Sequence, residues 1–205
     1  VFIGAAAALL HGYDLPPGHL EDLNIVIPGG KSHCTTSFPE IRGRKGTTVP
    51  ARVHRRRHFI PDAHIGVIDG LLVTSPFATA VTAILTESPC TALVVTGQAL
   101  RAAVGYTQAA PTDAQRQREL DIKQQWIESV RGEPKWWRHV ERIAQFIELA
   151  QGANTDIAEF LMHYILMAGG FETVYVQPKL TIGGQRYVPD FHIEEWDVFV
   201  EIDGR

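Results

Sequence analysis

Apolar and polar residues change rhythm several times along this chain, and each change marks an expected element. Residues 1–11 carry an unbroken Ala-rich run, Val1-Phe2-Ile3-Gly4-Ala5-Ala6-Ala7-Ala8-Leu9-Leu10, that closes at His11-Gly12. A buried helix with Gly12 just past its end is expected there. Leu23-Asn24-Ile25-Val26-Ile27 alternates as a half-buried strand and stops at Pro28-Gly29-Gly30. Gly66 to Val73 reads as two short strands about a turn. Thr74-Ser75-Pro76 then opens a helix, with Ser75 as N-cap and Pro76 in the first turn, running to about Leu85. A second apolar helix follows over Cys90–Val104.

Gly105 to Asp113, with Ala109-Ala110-Pro111-Thr112, has the composition of a linker. Gln115 to Val130 is polar and helical in composition, and Glu133-Pro134 breaks it. Over Lys135–Leu149 the apolar positions Trp136, Val140, Ile143, Ile147 and Ala150 follow helical spacing. The Trp136-Trp137 pair is better read as core than as a base-stacking platform. The last segment reads as a helix over about 155–168 and strands over 173–182, 185–191 and 197–202, with Gly183-Gly184 as the hairpin turn. The pattern predicts an α/β chain in three regions: an α/β domain over 1–105, a linker and helical connector over 106–150, and an α-β-β-β segment with a mixed sheet over 151–205.

Composition adds bounds. The chain has 205 residues, 45% hydrophobic and 20% charged, enough to bury a core without disulfide or metal staples. No apolar run reaches the ~18–20 residues that span a bilayer, so no membrane partner is expected. Cys34 and Cys90 have no metal-ligand spacing, and the adjacent His33-Cys34 pair lacks a second pair, so a reducing cytoplasm is expected. The missing initiator Met and a terminal motif that stops at Arg205 lead to the expectation of a fragment.

Net charge is −4, so nucleic-acid affinity requires a local patch. Ile41 to His58 supplies one: no Asp or Glu, but Arg42, Arg44, Lys45, Arg52, Arg55, Arg56 and Arg57, seven of the nineteen Lys and Arg. Arginine forks suit phosphate. A solvated strand face, charged to deter edge pairing, explains the stretch as well. Arg52, Arg55, Arg56 and Arg57 are the candidates for nucleic-acid contact.

The densest chemistry lies at the end. From Val198 the alternation puts Val198, Val200 and Ile202 on one face and Phe199, Glu201 and Asp203 on the other. Two acids spaced i, i+2 sit roughly 6.5–7 Å apart along a strand. Asp190 is far enough upstream for its strand to turn and pair with theirs, so three carboxylates converge at one sheet edge. Such a cluster raises at least one pKa unless a cation relieves it. Oxygen ligands without Cys or His suit Mg²⁺ or Mn²⁺. The bland reading is a β-hairpin with exposed acids.

Val188-Pro189-Asp190-Phe191 followed by Val200-Glu201-Ile202-Asp203-Gly204 resembles the PD-(D/E)xK nuclease superfamily. More closely it resembles a domain-of-unknown-function family allied to the very-short-patch repair endonucleases. That family places a Glu early in an upstream helix, and Glu159 in Thr155-Asp156-Ile157-Ala158-Glu159-Phe160-Leu161 matches it. The resemblance implies a partial restriction-endonuclease-like core and DNA as partner. It implies Asp190 and Glu201 as ligands of Mg²⁺ or Mn²⁺, with Glu159 and Asp203 completing the catalytic set. Two departures stand out: Asp203 replaces the superfamily's Lys, and the chain stops before the His that usually follows Asp-Gly.

His11-Gly12, the Val53-His54-Arg55-Arg56-Arg57 run and Gly70-Leu71-Leu72-Val73-Thr74-Ser75-Pro76 resemble the C-terminal domain of AbiEi-like antitoxins of type IV toxin–antitoxin systems, over roughly residues 1–105. Thr82 departs from that family's Thr-x-x-Asp after Thr79. This resemblance implies a cognate toxin or other protein partner. A metal-dependent endonuclease and a non-cleaving DNA-binding regulator or antitoxin both follow from the sequence.

Overall fold

In the computed structural model the Ala-rich opening folds as α1 (Gly4–Leu10), with Gly4 to Ala8 buried. Residues 1–17, 22–27, 34–42, 48–107 and 110–202 are described. They form two units, Val1–Val95 and Thr96–Arg205, each with its own interior.

In the first unit Phe2 bridges to Ile25 of β1 (Asp22–Val26) and to Val73 of β5 (Leu71–Thr74). β1 runs parallel to β3 (Thr48–Arg56), and β2 (Cys34–Arg42) lies antiparallel on the other side of β3. Cys34 opens β2, while its neighbour His33 lies outside the described residues. β3 is therefore the central strand of its sheet, so its charges do not serve to protect an edge. β4 (Ile65–Ile68) pairs with β5 as the expected hairpin. α2 (Pro76–Thr86) starts as its cap chemistry dictates, the Ser75 hydroxyl accepting from Ala78 N–H at 3.4 Å. Such a cap contributes about 1 kcal/mol. Ala78, Ala80, Val81, Ala83 and Ile84 of α2 are fully buried. The boundary between the units falls within α3 (Pro89–Val104).

The second unit contains the rest of α3. The expected linker lies in this unit, with residues 108 and 109 outside the described set. α4 (Asp113–Gly132) begins with a capping box between Thr112 and Gln115. Its polar surface hides a buried pair, Lys123 Nζ lying 3.2 Å from Glu119 Oε1. Glu119 also accepts from Tyr106 OH at 2.8 Å and from Gly152 N–H at 3.0 Å, and Lys123 Nζ donates to the Glu148 carbonyl at 3.3 Å. Residues 134–139 form a 3-10 turn, and only Val140–Leu149 is α5. Trp136 is 4% exposed and belongs to the core, while the Trp137 side chain lies outside the described set.

α6 (Ile157–Ala168) is capped by Asp156, whose carboxylate accepts from Ala158 and Glu159 N–H. Five short strands follow: β6 (Val174–Val176), β7 (Leu180–Ile182), β8 (Gln185–Tyr187), β9 (Phe191–Ile193) and β10 (Val198–Val200). β7 and β8 form a hairpin across Gly183 and Gly184, whose φ values of 58° and 83° fit the left-handed turn expected of that pair. β10, β9 and β6 form a separate sheet. Leu166 of α6 packs with Val176, Phe191 and Ile193 on one face of it.

The strands expected over 173–182 and 185–191 are each broken. Pro178 and Pro189 lack the N–H that a ladder needs. The mixed sheet expected here is antiparallel throughout among the described residues. The parallel pair, β1 with β3, belongs to the first unit. The chain is mixed α/β, with six α-helices and several small sheets among the described residues. None of these helices is long and apolar enough to cross a membrane.

Candidate functional site

Phe191 is the hinge of the site. It pairs with Val176 of β6 on one side and Val200 of β10 on the other. One residue further along each strand lie Gln177, Asp190 and Glu201. Gln177 N–H donates to the Asp190 carbonyl at 2.8 Å. Ile202 N–H donates to Asp190 Oδ2 at 2.6 Å. Asp190 is thus held by its backbone on one side and its side chain on the other, while Oδ1 accepts no hydrogen bond among the described residues. Its carboxylate is half-buried.

Glu159 comes to the same place from the first turn of α6. It is 5% exposed. Thr155 donates to both of its oxygens, through N–H at 2.8 Å and through its hydroxyl. The Gln177 amide reaches Glu159 Oε2 at 3.5 Å, a long bond. Burial pushes the Glu159 carboxyl above its ordinary value; the Thr155 bonds oppose that, and the charges of Asp190 and Asp156 add to it. This raised carboxyl is not one of the three acids expected to crowd one another, and desolvation is its leading cause. Glu201 is exposed and accepts no hydrogen bond among the described residues. Asp203 lies outside them.

Three residues that sequence reasoning passed over complete the surroundings. Gln177 is 7% exposed and has φ of 47°, a strained conformation for a non-glycine residue and a frequent mark of a functional position. Its sequence signal was a polar residue directly before a proline, at the end of an alternating run. Arg101 is the single charged residue of α3, which was legible. Its Nη1 donates to the carbonyls of Asn154 at 2.8 Å, Ala153 at 3.3 Å and Gly152 at 3.4 Å, fixing the loop that leads into α6. Burial pulls the Arg101 guanidinium below its ordinary value, and the nearby Glu159 charge offsets this. Asn154, in that loop, is 0% exposed, and both its amide atoms lack a partner among the described residues. No sequence signal marked it.

The basic stretch resolves unevenly. Arg52, Arg55 and Arg57 are exposed. Arg56 instead turns inward, its Nε donating to Asn24 Oδ1 at 2.8 Å, and Asn24 donates in turn to Glu87 at 2.9 Å. Arg57, His58 and Phe59 help line a hollow of about 410 Å³ in the first unit. The Arg42 side chain, Arg44 and Lys45 lie outside the described set.

Among the described residues no three His, Cys, Asp or Glu side chains gather as a metal cage. Mg²⁺ does not require one: it keeps several waters and binds through one or two carboxylates plus substrate phosphate. Asp190 Oδ1 and the Glu201 carboxylate, just outside the ends of adjacent strands, accept no hydrogen bond among the described residues, and their oxygen chemistry suits such an ion. No family model, curated protein or solved structure matches the chain.

Proposed function

We propose that the second unit is a Mg²⁺- or Mn²⁺-dependent DNA endonuclease of the PD-(D/E)xK kind, allied to the very-short-patch repair endonucleases, with the partial restriction-endonuclease-like core that this implies. The observation that carries the reading is Asp190: a half-buried carboxylate anchored by Ile202 N–H, with one oxygen open, beside the buried carboxyl of Glu159. Asp190 and Glu201 would hold the metal. When bound, it lowers the pKa of a coordinated water and offsets charge on the scissile phosphate. The chain's own groups set the stage. Ile202 N–H orients Asp190. Glu159, raised by burial, retains a proton more readily beside Asp190. Arg101 fixes the loop before α6. Asp203 stands where the superfamily has Lys; it would orient water or take a second metal. Arg52, Arg55 and Arg57 would position the duplex through its phosphates without reading bases. The first unit, similar to AbiEi-like antitoxins, would give the protein a place in a bacterial defence or toxin–antitoxin system of the cytoplasm, with a cognate toxin as protein partner.

A second reading is a DNA-binding regulator that uses the same fold without cleaving. It is favoured by Glu159, whose oxygens both serve Thr155 as a helix-capping group would, and by Asp203 in place of the lysine. Incubation with supercoiled plasmid and Mg²⁺ or Mn²⁺ separates the two. The nuclease reading requires nicking that EDTA stops and Asp190→Asn removes. Plasmid retention without nicking in the wild type selects the regulator.

A further inference from the structure

The sheet of β6, β9 and β10 has two faces, and α6 covers one. The other carries Tyr175, His192 and Phe199, paired across the three strands. Their rings stack in a row, Tyr175 to His192 at 5.8 Å and 19°, His192 to Phe199 at 4.3 Å and 14°. Tyr175 is 47% exposed and Phe199 44%. Past Phe199 the face continues into a hollow of about 380 Å³ whose walls include Leu180, Ile182, Tyr187 and Val188. Exposed aromatic and aliphatic side chains gathered in this way suit an interaction surface.

Charge decides what fits it. The Tyr175 hydroxyl donates to Glu194 at 3.0 Å, His192 Nε2 lies 3.0 Å from Asp197, and Glu201 shares the hollow with Phe199. No Lys or Arg occurs between Arg186 and Arg205. Aromatic platforms for nucleic acid sit in cationic grooves that track the backbone, whereas this row is edged by Glu194 and Asp197, whose charge repels phosphate. Three strands at about 4.8 Å spacing give a face about 10 Å across, the width of one α-helix. We propose that this face docks an amphipathic helix, its apolar stripe lying on Tyr175, His192 and Phe199 and its flanking Lys or Arg meeting Glu194 and Asp197.

The test uses the whole chain and a fluorescently labelled synthetic Leu/Lys amphipathic peptide, read by anisotropy. Its controls are a scrambled peptide of the same composition, a Leu/Glu peptide of the same pattern and oligo(dT). The Leu/Lys peptide should bind at least about tenfold more tightly than either control peptide, a ratio worth about 1.4 kcal/mol. The double variant Tyr175→Ser with Phe199→Ser keeps the charge and should bind about tenfold or more weakly, as removal of aromatic anchors does. Equal binding of the scrambled or Leu/Glu peptide, oligo(dT) binding that the double variant weakens as much as peptide binding, or an undiminished double variant overturns the proposal. Should that variant fail to fold, the wild-type ranking of the three peptides decides alone.

Discussion

His163 lies on α6, 2% exposed, with its ring stacked 6.3 Å from Phe191. Burial first, and the Lys123 charge second, lower its pKa from 6.5 to about 4. A depressed folded-state value means that the neutral ring's contribution is complete above pH 6.5 and is lost as pH falls toward 4, of order 3 kcal/mol at 1.4 kcal/mol per unit. Melting temperatures between pH 7.5 and 5 should therefore fall more steeply for wild type than for His163→Leu; parallel slopes would remove His163 from the account. Glu159 works in the opposite sense. Its raised value favours the protonated folded form, so its contribution is present below the ordinary carboxyl pKa and is lost as pH rises through the folded value. At this scale the sequence was partly readable. The carboxylates were legible because their types and spacing carry chemistry. Gln177 offered only a polar residue before a proline, and its importance lies in a backbone angle and a long-range bond that this local pattern does not encode.

Close approach of elements in the second unit depends on small residues. A Cβ built on Gly97 of α3 would meet Phe160 Cε1 of α6 at 2.4 Å, whereas one on Gly132, at the end of α4, would meet nothing within 4 Å. Gly97→Ala should cost about 1–3 kcal/mol through overpacking. Gly132→Ala should be neutral or stabilise by about 0.4–1 kcal/mol, because Ala restricts the unfolded chain and suits a helix. Chemical denaturation of the two variants checks both signs; a harmless Gly97→Ala would refute the tight α3–α6 packing. Arg101→Met should destabilise by roughly 2–4 kcal/mol, since it strands carbonyls that a charged donor now satisfies. Hydrogen exchange should quicken first over residues 152–156, and uniform quickening would contradict a local clamp. Helices were legible where caps and apolar periodicity agreed, as at Ser75-Pro76 and over Ile143–Ile147. The strands of the second unit were overdrawn, because alternation continues through Pro178 and Pro189 although pairing cannot. β2 was missed, since what defines it is its pairing with β3 rather than a pattern of its own.

For the whole molecule, a net charge of −4 coexists with three exposed arginines on and just beyond β3. Arg55→Ser with Arg57→Ser should weaken DNA binding for all sequences and flatten its salt dependence, by roughly one unit of slope for each phosphate no longer neutralised. An unchanged slope would assign those side chains to a solvated surface. Arg56→Ser should instead act on stability, because Arg56 is tied to Asn24. The central claim is that Asp190 belongs to a metal site. Its most direct test is the melting temperature of wild type and Asp190→Asn, each with and without millimolar Mn²⁺ or Mg²⁺. Asn keeps an oxygen for the Ile202 N–H and removes the charge that faces Glu159. Wild type should gain stability with metal, about 2.7 kcal/mol at a hundredfold excess over Kd. Asp190→Asn should gain none, and without metal should melt at or above wild type. Equal gains in the two proteins, or none in wild type, would contradict the metal site and leave the binding-protein reading in its place.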